Sequence, residues 1–412
     1  MEAARNRVNA GPLPFPLPVA DPEITDDTTT LNATMKLSSI LIPAVLCAVS
    51  MGGASCAGSG TSAREEGQDS LTVAQGLIRR LQAIEATGKT VYGHDDDPVY
   101  GVKWTLDSGR SDVLEVVGDY PGMMHWDLGM IELGAPVNLD SVPFDRMRAE
   151  MAAQEARGGL NAISWHPRNP RSGLDAWQPV DTDVVTLAVT PGTPENDTLK
   201  VWLDRAADYL ASLKDSRGNP LPLIFRPWHE MSGGWFWWGG PNTTVDSYVA
   251  LWKMTREAFD AKGLTNIVWA YSPDVVSDRE QYMTWYPGDE MVDILGADVY
   301  HRDGDQGTAR WFDNIASTLG AARAVAKEKG KIAALTETGC EGLPVLNWYT
   351  DCMLPVIRRY HPVYMTVWRN GQERLKPGHF YAPYPGHPEV VAFRTFHADS
   401  LTLFAREVRE IR

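Results

Sequence analysis

From residue 71 onward the chain alternates between short apolar runs and longer segments of helical period. The runs are Thr90–Gly93, Val113–Val117, Leu160–Trp165, Leu221–Phe225, Asn266–Ala270, Met291–Gly296, Ile332–Thr336 and Val363–Val367. Between most of them the spacing predicts helices, at Asp145–Arg157, Leu199–Lys214, Val245–Ala261, Thr308–Lys329 and Tyr349–Tyr360, and a long periodic segment, Pro388–Arg409, closes the chain. Strands alternating with helices argue for a parallel sheet, and eight such units fit a (β/α)8 barrel better than an open doubly wound sheet, which stays as the alternative.

Polar residues recur where the runs end: His94, Asp119, His166, Arg226 with His229 and Glu230, Tyr271 with Asp274, Asp298 with Tyr300, Glu337, and Trp368 with Arg369. Barrel enzymes build their sites from the C-terminal ends of the strands, so these side chains are expected to converge at one mouth. Glu230 follows the fourth run and Glu337 ends the seventh, three units later, which sets two carboxylates across that mouth from each other. Such a pair is what glycoside hydrolysis needs, one group attacking the anomeric carbon and the other protonating the leaving oxygen. Arg226 and His229 favour an ionised Glu230, whereas burial beside tryptophans favours a protonated one, as a general acid requires. Tyr300 is a reasonable hydrogen-bond donor to Glu337, and a core or surface tyrosine is as good a reading of it.

Composition narrows the partners. With 412 residues, 43% hydrophobic and 22% charged, the chain can bury a large core, and its net charge of −15 disfavours nucleic acid or an anionic membrane surface. Fifteen tryptophans are the anomaly. Trp228, Trp235, Trp237 and Trp238 crowd the stretch around Glu230, and with Trp368 they could stack on the C–H faces of pyranose rings, although packing inward is as good a reading of any one of them. Metal chemistry finds no support: His229-Glu230 begins like a zinc-protease motif but Gly233 stands where the second histidine belongs, and no His-x-His pair occurs. No metal and no cofactor are expected.

The N-terminal residues read as an export signal. Residues 35–56 carry a basic start, an apolar run too short to span a membrane convincingly, and a lipobox-like Cys56; residues 1–34 read as an upstream, mis-started segment, and residues 57–70 as a flexible tether to a barrel over 71–412. The expectation is a bacterial lipoprotein on either face of the outer membrane, or else a secreted protein, and a monomer. An exported setting leaves Cys340 and Cys352 either disulfide-bonded or buried as thiols.

Phe225-Arg-Pro-Trp-His-Glu-Met-Ser-Gly-Gly-Trp-Phe-Trp-Trp-Gly239 resembles the acid/base segment of glycoside hydrolase family 26, the β-mannanase family of retaining (β/α)8 barrels. Gly93-His-Asp-Asp-Asp-Pro-Val-Tyr-Gly101, Trp126-Asp-Leu-Gly129, Ser164-Trp-His-Pro-Arg-Asn-Pro170, Trp269-Ala-Tyr-Ser-Pro-Asp274 and Leu335-Thr-Glu-Thr-Gly339 resemble its other segments, in order. The resemblance runs from about residue 71 to the end and is strongest to members from gut-type Bacteroidetes. It implies Glu230 as acid/base and Glu337 as nucleophile, with His166, His229, Asp298 and Tyr300 around the sugar being cleaved, Trp235 on the leaving-group side, Trp368 and Arg369 on the glycone side, and His94 as a further binding residue. Asp95-Asp-Asp97 departs from the family spelling. The implied substrate is β-1,4-mannan, glucomannan or galactomannan. Another β-glycan, xylan or mixed-linkage glucan, is the nearest alternative, and a non-catalytic glycan-binding lipoprotein a more distant one.

Overall fold

The computed structural model describes residues 71–179, 182–371 and 374–411. Ser70–Arg412 form one compact unit, and the export signal, Cys56 and the tether lie outside the described residues. Eight strands make the barrel: β1 (Thr90–Asp95), β2 (Met123–Asp127), β3 (Leu160–Ser164), β4 (Leu223–Arg226), β5 (Ile267–Tyr271), β6 (Ile294–Tyr300), β7 (Ile332–Gly339) and β8 (Tyr364–Val367). Each pairs in parallel with the next, and β8 closes on β1 with Val91 opposite Tyr364 and His94 opposite Val367. This is the (β/α)8 barrel.

Seven of the apolar runs overlap strands, but Val113–Val117 does not. It lies in a helix, Asp112–Val117, begun by Ser111, whose side chain accepts from the Leu114 amide at 2.9 Å, and ended by Gly118 in the left-handed region. The true second strand reads Met-Met-His-Trp-Asp, without a β-branched residue. Asp119 therefore sits ahead of β2, at the opposite end from the mouth, where it accepts from the amides of Tyr120 and Arg406. The closing periodic segment is also broken, into helix Val390–His397, strand Thr402–Leu403 beside β1, and helix Ala405–Glu410.

Side chains alternate faces along a strand. Val91, Met123, Leu160, Ala162, Ile224, Val268, Ala270, Ile294, Ile332, Ala334 and Tyr364 share one apolar cluster drawn from all eight strands, joined by Leu77, Leu81 and Ile84 of helix Val73–Ala86. This fills the N-terminal half of the barrel. Two or more positions further along, the same inward faces turn polar: Asp95, His125, Asp127, Ser164, Arg226, Asp298 and Glu337, all buried. His94 has the outward parity of Tyr92, whose ring packs on Phe393 and Phe404. Cys340 and Cys352 are two buried free thiols.

Candidate active site

Glu230 is carried on a strained turn. After β4 ends at Arg226, Trp228 and Glu230 adopt positive φ, 51° and 54°, which costs roughly 1–2 kcal/mol for each side chain with a Cβ. Buried polar handles hold the turn. The Tyr248 hydroxyl donates to the Trp228 carbonyl at 2.8 Å, Trp238 Nε1 to the His229 carbonyl at 2.9 Å, and the Glu230 amide to the Ser272 carbonyl at 2.8 Å. Trp228, Trp237 and Trp238 are fully buried and pack edge to face, so three of the tryptophans offered as a sugar platform are the foundation of the turn that carries Glu230. Asn196 and Asn242, both in glycosylation sequons, are likewise buried; Asn242 Nδ2 ties the same loop to the Gly234 and Phe236 carbonyls.

Trp235 is the exception. It is 36% exposed, and its Nε1 donates to Glu230 Oε2 at 2.7 Å. Gly233 makes this possible, because a Cβ there would meet the Trp235 ring at 2.2 Å.

Glu337 sits beyond a register shift between β6 and β7 that sets it opposite Asp298. Arg226 Nη2 donates to its Oε2 and the Tyr300 hydroxyl to its Oε1. Burial, then the charge of Glu337, keeps the Tyr300 phenol protonated and able to donate. Arg226 Nη1 donates to Asp298 Oδ2 at 2.7 Å, and Ser272 and Thr336 complete the Asp298 shell at 2.9 and 2.7 Å. Both oxygens of Glu337 thus accept a hydrogen bond, one of them from a cation. Removing the guanidinium should strand two buried acids: Arg226→Met is expected to lose about 3–5 kcal/mol of stability, read as a lower midpoint in chemical denaturation.

Glu230 is placed in the opposite electrostatic setting. Burial, followed by repulsion from Asp274, Glu337 and Asp298, raises its pKa well above the ordinary carboxylate value, and Arg226 only partly opposes this. The cation beside Glu230 in the sequence is spent on Glu337 and Asp298, so burial decides.

Both glutamates line one cleft of about 280 Å³. His166, His229, Trp235, Tyr300 and Trp368 line it as the sequence led one to expect, together with Trp177, Phe236, Arg302 and Tyr381, which it did not single out. Trp177 stacks on His166 at 4.9 Å and 13°. Three expected residues lie off the cleft wall. Asp298 works beneath Glu337. His94 points outward and its Nδ1 pairs with Asp97 at 2.8 Å. Arg369 pairs with Asp140 at 2.9 Å and donates to the Tyr100 hydroxyl at 3.0 Å. Asp95, Asp96 and Asp140 bring oxygens within 4.8 Å of one another, the spacing of a metal site. Arg369 already supplies a positive charge there. Burial, followed by repulsion from neighbouring acids, pushes the Asp95 and Asp96 carboxyls well above the ordinary carboxylate range.

The glycosyl hydrolase family 26 profile matches residues 70–342. A mannan endo-1,4-beta-mannosidase of Bifidobacterium adolescentis is 33% identical over 57% of this chain and 24% of its own length. One from Bacillus subtilis is 34% identical over 35% of this chain and 41% of its own; the chain thus spans less than half of either relative. Among solved structures, a GH26 beta-mannanase from Bacteroides ovatus, BoMan26A, superposes with a TM-score of 0.77 at 40% identity, covering 81% of this chain and 96% of that one. The chain belongs to glycosyl hydrolase family 26.

Proposed function

We propose that the protein is a retaining hydrolase of β-1,4-linked mannan. The observation that carries this is the contrast between two carboxyl groups on one cleft: Glu337, with both oxygens accepting hydrogen bonds from Arg226 and Tyr300, and Glu230, whose pKa burial raises well above the ordinary carboxylate value. Glu337 attacks the anomeric carbon while Glu230 gives its proton to the departing glycosidic oxygen. The glycosyl–Glu337 ester is then hydrolysed by a water whose proton returns to Glu230. Trp235, partly exposed and bonded to Glu230, supports a platform for the leaving sugar; the place of Trp368 on the same cleft supports the glycone-side contact that the family resemblance implies. The chemistry needs no cofactor. Mannan as substrate is supported by family membership and by the relatives' mannan-directed names. The lipobox-like Cys56 supports export with a lipid anchor, which incorporation of labelled palmitate in a bacterial host and its loss in Cys56→Ala would test.

Incubation with mannan, galactomannan, glucomannan, xylan and lichenan, with early products sized and the first anomer followed by NMR, tests the proposal. Rapid cleavage of mannans with β-anomer formed first is expected; cleavage of xylan or lichenan alone, or an α-anomer, overturns it.

The raised pKa of Glu230 also sets a pH profile. The general acid works only while protonated, so kcat/KM should fall as pH rises through the Glu230 value. After burial, Asp274 is the largest cause of that elevation. Asp274→Asn should therefore bring the basic limb to lower pH, whereas an unchanged limb would show that Asp274 does not tune the acid.

A further inference from the structure

From the cleft wall inward, two histidines and an aspartate form a continuous chain. Asp127 ends β2 on its inward face and is fully buried. Its Oδ1 accepts the Gly129 amide at 2.6 Å; its Oδ2 accepts Ser164 Oγ at 2.8 Å and faces His166 Nδ1 at 2.7 Å. His166 Nε2 then meets His229 Nε2 at 3.0 Å, with the two rings perpendicular. His229 immediately precedes Glu230 in the chain.

An Nε2–Nε2 contact holds one proton. A carboxylate with this many donors has only acceptor capacity left, so the His166 proton belongs on Nδ1. Two arrangements follow. If His166 is neutral, its Nε2 is a lone pair and His229 donates from Nε2, leaving His229 Nδ1 as a bare acceptor. If His166 is an imidazolium, His229 must carry its proton on Nδ1. That atom is buried with no hydrogen-bond partner among the described residues, and a buried donor left unmade is rarer than an under-used acceptor. Burial first, then Arg226, also keeps His229 from taking a proton of its own.

We propose that Asp127 is a positioning residue that orients both histidines in one direction, His229 donating to His166 and His166 to Asp127, so that a neutral pair stands beside Glu230. The arrangement places no second cation next to the acid that must hold its proton. The rate consequence rests on the hydrolase reading; the tautomers do not.

Asp127→Asn reverses the chain. The asparagine oxygen must face the fixed Gly129 amide, which turns its NH2 toward His166 Nδ1 and drives the His166 proton to Nε2. Two N–H groups then confront each other, and His229 must shift its proton to Nδ1 or rotate.

The test is long-range 15N–1H correlation NMR of the full chain labelled at its nine histidines, with His166 and His229 assigned through single glutamine variants. The wild type is expected to show His166 as the Nδ1–H and His229 as the Nε2–H tautomer at pH 7. Asp127→Asn is expected to show His166 as Nε2–H, with kcat/KM down by about 10–100-fold, the scale on which partners that orient metal-bound histidines matter. Wild-type His166 found as Nε2–H or as imidazolium overturns the proposal, whether or not the variant folds. So does an Asp127→Asn protein that keeps the wild-type tautomers or normal kcat/KM. If the tautomers are as stated and no mannan is cleaved, the chain stands and the hydrolase reading fails.

Discussion

Glu337→Ala is expected to lower kcat by about 10⁵–10⁶-fold, the scale on which hydrolases lose activity when a covalent nucleophile is removed, with the fold intact. The fold should survive because Arg226 keeps its 2.7 Å bond to Asp298 and the deleted side chain opens onto the cleft. What disappears is the carboxylate proposed to attack the anomeric carbon. Azide offered with an activated aryl β-mannoside should enter that space and give the inverted α-mannosyl azide. Near-normal hydrolysis of mannan by this variant, or β-azide from it, would assign the nucleophile elsewhere.

Glu230→Ala should cost about 10²–10⁴-fold, the usual worth of a positioned general acid–base, and the loss should depend on the leaving group. Mannan needs its glycosidic oxygen protonated and should suffer in full. A dinitrophenyl mannoside needs no proton to depart, so its first step should be nearly normal, the glycosyl–Glu337 ester should accumulate as a burst, and azide should give the retained β-product. Equal losses on both substrates would count against Glu230 as the proton donor. Trp235 is the internal control, since its Nε1 bond to Glu230 vanishes in this variant while the platform remains.

How far the site was legible follows from where its residues stand. Glu230 and Glu337 could be found because each lies at the end of an apolar run, and strand ends meet at one mouth whatever the loops do. Asp127 was hidden by a misplaced strand. The valines of Val113–Val117 promise β-structure, yet Ser111 and Gly118 cap them as a helix, and the neighbouring Met123–Asp127 carries no such promise while forming β2. With β2 in register, Asp127 becomes a strand-end acid like the others. His94 fails for a related reason: position along a strand says how near the mouth a residue lies, but parity says which way it points, and His94 shares the outward face of Tyr92. Trp177 and Tyr381 lie on loops, where no period constrains direction. The tryptophans around Glu230 show the limit of composition, because their number says nothing of which one is left at the surface; Gly233 decides that for Trp235.

The three indoles beneath the Glu230 turn have an optical consequence. Trp228, Trp237 and Trp238 lie with ring centroids 5.4–5.6 Å apart at interplanar angles of 72–89°, close enough for their excited states to mix into a paired near-ultraviolet circular dichroism band. Trp165 joins them, its ring 5.6 Å from Trp228, and Trp311–Trp348 and Trp252–Trp269 form separate pairs at 5.9 and 6.3 Å, so the part of the band that changes when the turn relaxes is the part that belongs to this group. A variant that has lost only a carboxylate keeps that signature, and one whose turn has relaxed does not, before any substrate is added.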